Sequence, residues 1–149
     1  MGTNERLDEI LTMWDKDSEV PETKLAETAM MTASLHAKYL RCLLEFKRNR
    51  TQLQADHDLL RRYKFRYYRG ELSRKELEDM GWEQWQNAKP LKNEMDELVR
   101  GDKDVRPLVK RLEDLDAAVE AMEEILKQLK QRDFGIGNAI KWKIFLAGG

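Results

Sequence analysis

A short basic and aromatic segment combines the two side-chain types that bind unpaired nucleic acid. Residues 61–69 include five cations, four aromatic rings and no acid, in the order Arg-Arg-Tyr-Lys-Phe-Arg-Tyr-Tyr-Arg. Cations bind phosphates and release counterions, while aromatic faces stack on bases of any identity. Duplex readout favours an element aimed at a groove, and no such signature is present. The segment therefore predicts sequence-tolerant binding of single strands.

The segment lies in a wider basic block, although the net charge of the chain is −1. Residues 38–75 carry 12 Lys and Arg against 4 Asp and Glu, whereas residues 1–37 carry 8 acids against 3 bases. Residues 76–104 are again acidic, with 9 acids against 4 bases. The predicted DNA-binding residues are Lys47, Arg48, Arg50, Arg61, Arg62, Tyr63, Lys64, Arg66, Tyr67 and Arg69.

Two other interpretations of the basic block remain open. It could form a structural face or bind an acidic protein partner, and Leu60, Lys64 and Tyr67 continue an apolar helical seam, so some rings could pack inside. It could also lie on anionic lipid, although such segments are dominated by Lys and Leu rather than Arg and Tyr.

Residues with catalytic potential are scarce. His36 and His57 are 21 positions apart, about 30 Å along one helix, too far to share a metal ion. Cys42 has no CxxC partner and is expected to be a small buried hydrophobe. Gly135-Ile136-Gly137 is too short for a phosphate loop, and GxxxxGK[ST] is absent. The sequence predicts no enzyme, metal site or cofactor.

Composition limits the protein class further. The chain has 149 residues, of which 37% are charged and 41% hydrophobic, and this length predicts a single domain over residues 1–149. The sequence contains no run of about 18 apolar residues, so no membrane span is expected. The single cysteine excludes an internal disulfide and fits a reducing compartment.

The positions of Gly and Pro predict an all-α fold. A long helix is expected over 21–69, short helices in a broken middle over 73–100, a second long helix over 102–134 and a C-terminal helix over 138–147. Ser73 and Glu76 form a capping-box pattern. Asp102 is the expected N-cap of the second long helix, and Gly135 its C-cap before a tight turn.

Self-association is predicted from two apolar features. On the second long helix, apolar residues from Val105 to Leu129 alternate at spacings of 3 and 4, an a/d seam that favours packing against other chains. The chain end is apolar for its length, and its side chains would be costly to leave in water. The predicted oligomerisation residues are Ile140, Trp142, Ile144, Phe145 and Leu146; the alternative is that they belong to the chain's own core.

From about Thr23 to its end, the chain resembles the UvsY-type recombination mediators of T4-like bacteriophages. The resemblance rests on Thr23-Lys24-Leu25, Tyr67-Tyr68-Arg69-Gly70, Asp102-Lys103-Asp104-Val105, Arg132-Asp133-Phe134-Gly135-Ile136, Ala139-Ile140-Lys141 and Phe145-Leu146-Ala147-Gly148, in that order. The family's motif, Leu-Lys-Ala-Arg-Leu, falls on residues 61–65, and its two cations correspond to Arg62 and Lys64.

This resemblance implies a non-enzymatic single-stranded DNA-binding protein, active in the cytoplasm of the infected bacterial host. It implies a ring-like homo-oligomer of about six or seven subunits, with the C-terminal region supporting assembly. The implied partners are single-stranded DNA, a RecA-like phage recombinase and the phage single-strand binding protein, which the mediator displaces while the recombinase is loaded.

Overall fold

The computed structural model of the chain describes residues 2–148, so the two terminal positions of the predicted domain lie outside it. Five α-helices follow in order: α1 Thr3–Asp17, α2 Leu25–Tyr68, α3 Arg74–Met80, α4 Lys92–Arg100 and α5 Arg106–Leu146. A 3-10 turn, Glu22–Lys24, precedes α2. The described residues contain no strand, and the fold is all-α as predicted.

Helix ends follow the local signals of the sequence. After α2, Gly70 adopts a φ of +71°, and its N–H bonds the Tyr67 carbonyl oxygen at 3.0 Å. This left-handed conformation favours glycine and ends the helix. At α3 the predicted capping box is present: Ser73 Oγ accepts from the Glu76 N–H, and Glu76 Oε1 accepts from the Ser73 N–H, both at 3.1 Å.

The predicted break at Gly135 is wrong, because α5 continues through Gly135 and Gly137 to Leu146. Each glycine weakens a helix interior, but tertiary contacts hold the backbone on both sides. The Arg132 guanidinium donates at 2.9 Å to the carbonyl oxygens of Asp17 and Thr28. One turn later, Ile136 is buried.

The expected N-cap role of Asp102 also differs from the structure. α5 begins at Arg106, and the Asp102 carboxylate accepts instead from the backbone N–H of Asp104 at 2.8 Å and from the Tyr68 hydroxyl. Asp102 therefore stabilises the turn between α4 and α5 and anchors it to α2.

The chain divides into two compact units, where the sequence predicts a single domain. Unit 1 comprises residues 1–49 and 114–149, and unit 2 comprises residues 50–113; α2 and α5 contribute to both. The buried side chains of unit 1 include Ile10, Tyr39, Phe46, Met122 and Leu129, and the core of unit 2 is built on Tyr68, Met95, Val99 and Val105.

The apolar seam of the second long helix serves the chain's own interior. Val105, Leu115, Met122 and Leu129 are each at most 3% exposed. The expectation that this seam faces other chains is therefore wrong. A 3-4 spacing marks a helix with a packing partner, and here the partners belong to the same chain.

Candidate nucleic-acid interface

The end of α2 in unit 2 carries the basic and aromatic segment, and helical periodicity divides its side chains by exposure. Leu60, Lys64 and Tyr68 repeat at intervals of four and point towards the core, where Lys64 and Tyr68 are buried. Arg61, Arg62 and Arg69 are exposed on the other faces of the helix. The half-buried members are Tyr63, Phe65, Arg66 and Tyr67.

Lys64 lies in a buried ionic cluster. Its Nζ is 2.8 Å from Asp104 Oδ2 and 3.2 Å from Asp102 Oδ2, and its side chain is 3% exposed. The ammonium also lies 3.8 Å from the centroid of the Trp82 ring. Lys64 is one of the predicted DNA-binding residues, and in the structure its charge is compensated inside unit 2.

The same cluster controls the protonation of Asp102. Burial opposes ionisation of this carboxyl, but hydrogen bonds from Tyr68, from the Asp104 backbone and from Lys64 outweigh that effect. The pKa of Asp102 is consequently held below its ordinary value. Burial, assisted by the bond to Asp102, raises the pKa of the Tyr68 hydroxyl. The Asp102 carboxylate is thus ionised and accepts a hydrogen bond from the neutral Tyr68 hydroxyl.

The cations outside the buried cluster differ in their acid partners. Arg61 Nη2 is 2.7 Å from Asp96 Oδ1, with both side chains solvent-accessible, and Arg66 donates two hydrogen bonds to Glu76, of 2.8 and 3.0 Å. Within residues 2–148, Arg62 makes no ion pair closer than 4.0 Å. Solvent-exposed ion pairs contribute little to stability, so Arg61 can exchange its carboxylate for a phosphate.

The remaining predicted cations precede this segment along α2. Lys47 and Arg48 are exposed in unit 1, where Lys47 Nζ lies 3.8 Å from the Glu123 carboxylate. Arg50 belongs to unit 2 and is half-buried.

Two tryptophans that are not among the predicted site residues lie beside the basic helix. Trp82 and Trp85, in the connection between α3 and α4, pack against Tyr67 with centroid separations of 5.4 and 6.1 Å, and Trp85 also packs against Tyr68 at 4.7 Å. All four rings meet edge to face. In the sequence they are a Trp pair spaced by three residues immediately after Gly81, in a mostly polar connection.

The predicted oligomerisation residues lie at the end of α5. Ile140 is half-buried, whereas Trp142, Ile144, Phe145 and Leu146 are 54–66% exposed. The rings of Trp142 and Phe145 stack with a centroid separation of 5.5 Å. These four exposed side chains are therefore not core residues of this chain, and large exposed apolar groups in proximity are typical of contact surfaces. Phe134, 80% exposed on the same helix, was not among the predicted residues.

Other candidate chemistry is limited in the described part of the chain. No group of three or more His, Cys, Asp and Glu side chains in residues 2–148 is placed to hold a metal ion. Cys42 is buried, and this burial raises the pKa of its thiol. No helix between residues 2 and 148 is long and apolar enough to cross a membrane.

Comparison with known proteins links this architecture to DNA recombination. A family model described as "Recombination, repair and ssDNA binding protein UvsY" matches residues 13–149. No curated protein sequence matches significantly.

Similar solved structures include crystal structures of the bacteriophage T4 recombination mediator protein UvsY in three lattice types. Lattice type II has a TM-score of 0.83 at 21% identity, over 94% of this chain and 96% of that chain. Type IV has a TM-score of 0.77 at 20% identity, over 93% and 97%. Type I has a TM-score of 0.76 at 23% identity, over 94% and 98%.

Proposed function

The chain belongs to the UvsY family of recombination, repair and ssDNA-binding proteins. We propose that it is a recombination mediator that binds single-stranded DNA at the basic end of α2. The observation that supports this proposal most directly is the exposure of Arg61, Arg62 and Arg69 on one helix end beside half-buried rings. In this proposal the guanidinium groups bind phosphates bidentately. Tyr63 is the candidate to stack on an unpaired base.

The cations nearer the start of α2 extend the proposed DNA-binding set. Lys47, Arg48 and Arg50 add to the phosphate contacts, and both side chains of the Lys47–Glu123 ion pair are exposed to solvent. Arg66 joins the set when a phosphate replaces Glu76 as its bidentate partner.

In this proposal, self-assembly repeats the DNA-binding surface of α2 in each subunit and so raises the affinity for single-stranded DNA. We propose a ring-like homo-oligomer of about six or seven subunits, joined through Ile140, Trp142, Ile144, Phe145 and Leu146. Several weak DNA-binding faces on one ring act at high effective concentration, so the assembly binds tightly even when one face binds weakly. The stacked and exposed rings of Trp142 and Phe145 support this assignment.

The mediator step itself rests on the family. In the proposed sequence the ring bends the strand, displaces the phage single-strand binding protein and promotes loading of a RecA-like recombinase. This would serve homologous recombination, repair and recombination-dependent replication in the cytoplasm of the infected host. No step requires covalent chemistry or a cofactor.

Titration of fluorescent oligo-dT with the full chain at two salt concentrations tests the proposal. We expect the association constant to fall by more than tenfold between about 50 and about 200 mM salt, because several phosphates are neutralised. Weak binding with little salt dependence would instead favour a helical scaffold that binds an acidic protein through the same helix. A duplex of equal length is the control, and it should bind less tightly because its bases cannot stack on protein rings.

A further inference from the structure

The cation at position 64 differs from every other cation of the basic segment. Its side chain is 3% exposed, compared with 48% for Arg61 and 42% for Arg66. Its ammonium has two carboxylate partners and an indole ring around it. A group enclosed in this way has no open direction from which a phosphate could approach.

We propose that Lys64 is a positioning residue for DNA binding, which displays the neighbouring arginines while making no phosphate contact itself. This inference rests on the proposed single-strand binding and assigns a different task to one member of the predicted set. Phosphate contacts are then carried by the exposed guanidinium groups of Arg61, Arg62 and Arg69.

The charge around Lys64 disfavours contact with a phosphate. Asp102 and Asp104 together carry one more negative charge than the lysine neutralises, so an approaching phosphate meets net repulsion at this point. Removing the ammonium to reach DNA would leave Asp102, whose side chain is 4% exposed, as an uncompensated buried charge. Such a charge is strongly destabilising, and one additional phosphate contact in water does not offset it.

The ionic cluster around Lys64 also joins separate segments of unit 2. Lys64 lies on α2, whereas both carboxylates lie on the turn between α4 and α5. The ammonium also lies on the Trp82 ring, in the connection that follows α3, at a distance typical of a cation–π interaction. One side chain thus ties two other segments of unit 2 to the helix that carries the arginines. Its loss would change the orientation of that helix end without removing a phosphate ligand.

Salt dependence separates the two roles. For single strands, the slope of log K against log salt is negative, and each lost phosphate contact makes it less steep by about 0.7. We expect Arg62→Gln to flatten the slope by this amount. Lys64→Met should keep the wild-type slope but weaken oligo-dT binding at every salt concentration, because the arginines are no longer held in place, and it should lower the Tm by on the order of 10 °C. Because Lys64→Met leaves Asp102 unpaired, Lys64→Met with Asp102→Asn is measured as well. It should recover most of the Tm and bind oligo-dT within about threefold of the wild type.

Asp104→Asn provides a further test in a protein that keeps its fold, since this carboxylate is 39% exposed. If Lys64 contacted DNA, loss of this competitor would steepen the salt slope by about 0.7; the positioning role predicts an unchanged slope. A steeper slope here, or a flattened slope in either folded Lys64 variant, would overturn the inference. If wild-type protein shows no salt-dependent binding, the proposed function fails instead, while the Tm of Lys64→Met still reports on the structural role.

Discussion

Arg66 and Glu76 form a two-pronged salt bridge, with both guanidinium nitrogens within 3.0 Å of the carboxylate. The same carboxylate accepts the N–H of Ser73 and so completes the capping box of α3. The hydrogen bond from Arg66 is the main reason that the pKa of Glu76 is lowered. The Glu76 carboxylate therefore both caps α3 and forms an ion pair with Arg66, a cation of the candidate DNA-binding surface.

We predict that Glu76→Gln strengthens binding of oligo-dT. Glutamine can still cap α3, but it releases the Arg66 guanidinium for phosphate, so the salt slope should steepen by about 0.7. Fluorescence anisotropy at several salt concentrations measures this slope. Glu78→Gln is the matched control, because it removes the same charge from the same helix and its partner, Arg74, is not in the predicted set. Equal effects of the two variants would mean that only the overall charge matters.

Loss of the exposed arginines should weaken binding in proportion to their number. Arg62→Gln with Arg69→Gln removes two phosphate ligands. We expect the slope of log K against log salt to be less steep by about 1.4, and binding at low salt to be at least tenfold weaker. Circular dichroism should show an unchanged helix content. Arg111→Gln, on an exposed position of α5 in the same unit, is the control for charge alone. Wild-type affinity in the double variant would exclude this helix end as the binding surface.

The apolar end of α5 should determine the size of the assembly. Trp142→Ser with Phe145→Ser removes two exposed rings that stack on each other, so we expect a smaller mass by light scattering and a helix content close to that of the wild type. Leu59→Ser, at a residue that is 54% exposed in unit 2, controls for the loss of surface hydrophobicity. An unchanged mass in the double variant would place the subunit contacts elsewhere.

The glycines inside α5 should be sites of stabilisation. A Cβ added at Gly135 or Gly137 meets no atom within 4 Å, so Gly135→Ala and Gly137→Ala should each raise the free energy of unfolding by about 0.5–1 kcal/mol. Thermal denaturation of the full chain measures the effect. Gly70→Ala is the opposite control, since its φ of +71° is strained for alanine and the Tm should fall. A lower Tm for Gly135→Ala would indicate that subunit assembly uses the space beside this residue.

Local patterns were sufficient for much of the fold. The 3-4 spacing of apolar residues predicted long helices because an α-helix repeats every 3.6 residues, and α2 covers residues 25–68 of the 21–69 expected. The capping box at Ser73 can also be predicted from the sequence, because both of its hydrogen bonds join residues only three positions apart. The sequence could not show that α5 passes through Gly135, because its anchors, Asp17 and Thr28, lie more than 100 residues away.

The candidate site shows the same division. The amino-acid sequence by itself determined that cations and rings alternate at the end of a long helix, since both facts depend only on residue type and spacing. Only the tertiary structure decided which of those cations face solvent. Lys64 is withdrawn from the surface by Asp102 and Asp104, which the α4–α5 turn brings to it from about 40 positions along the chain. Burial of a charge depends on partners distant in sequence, and no local pattern contains them.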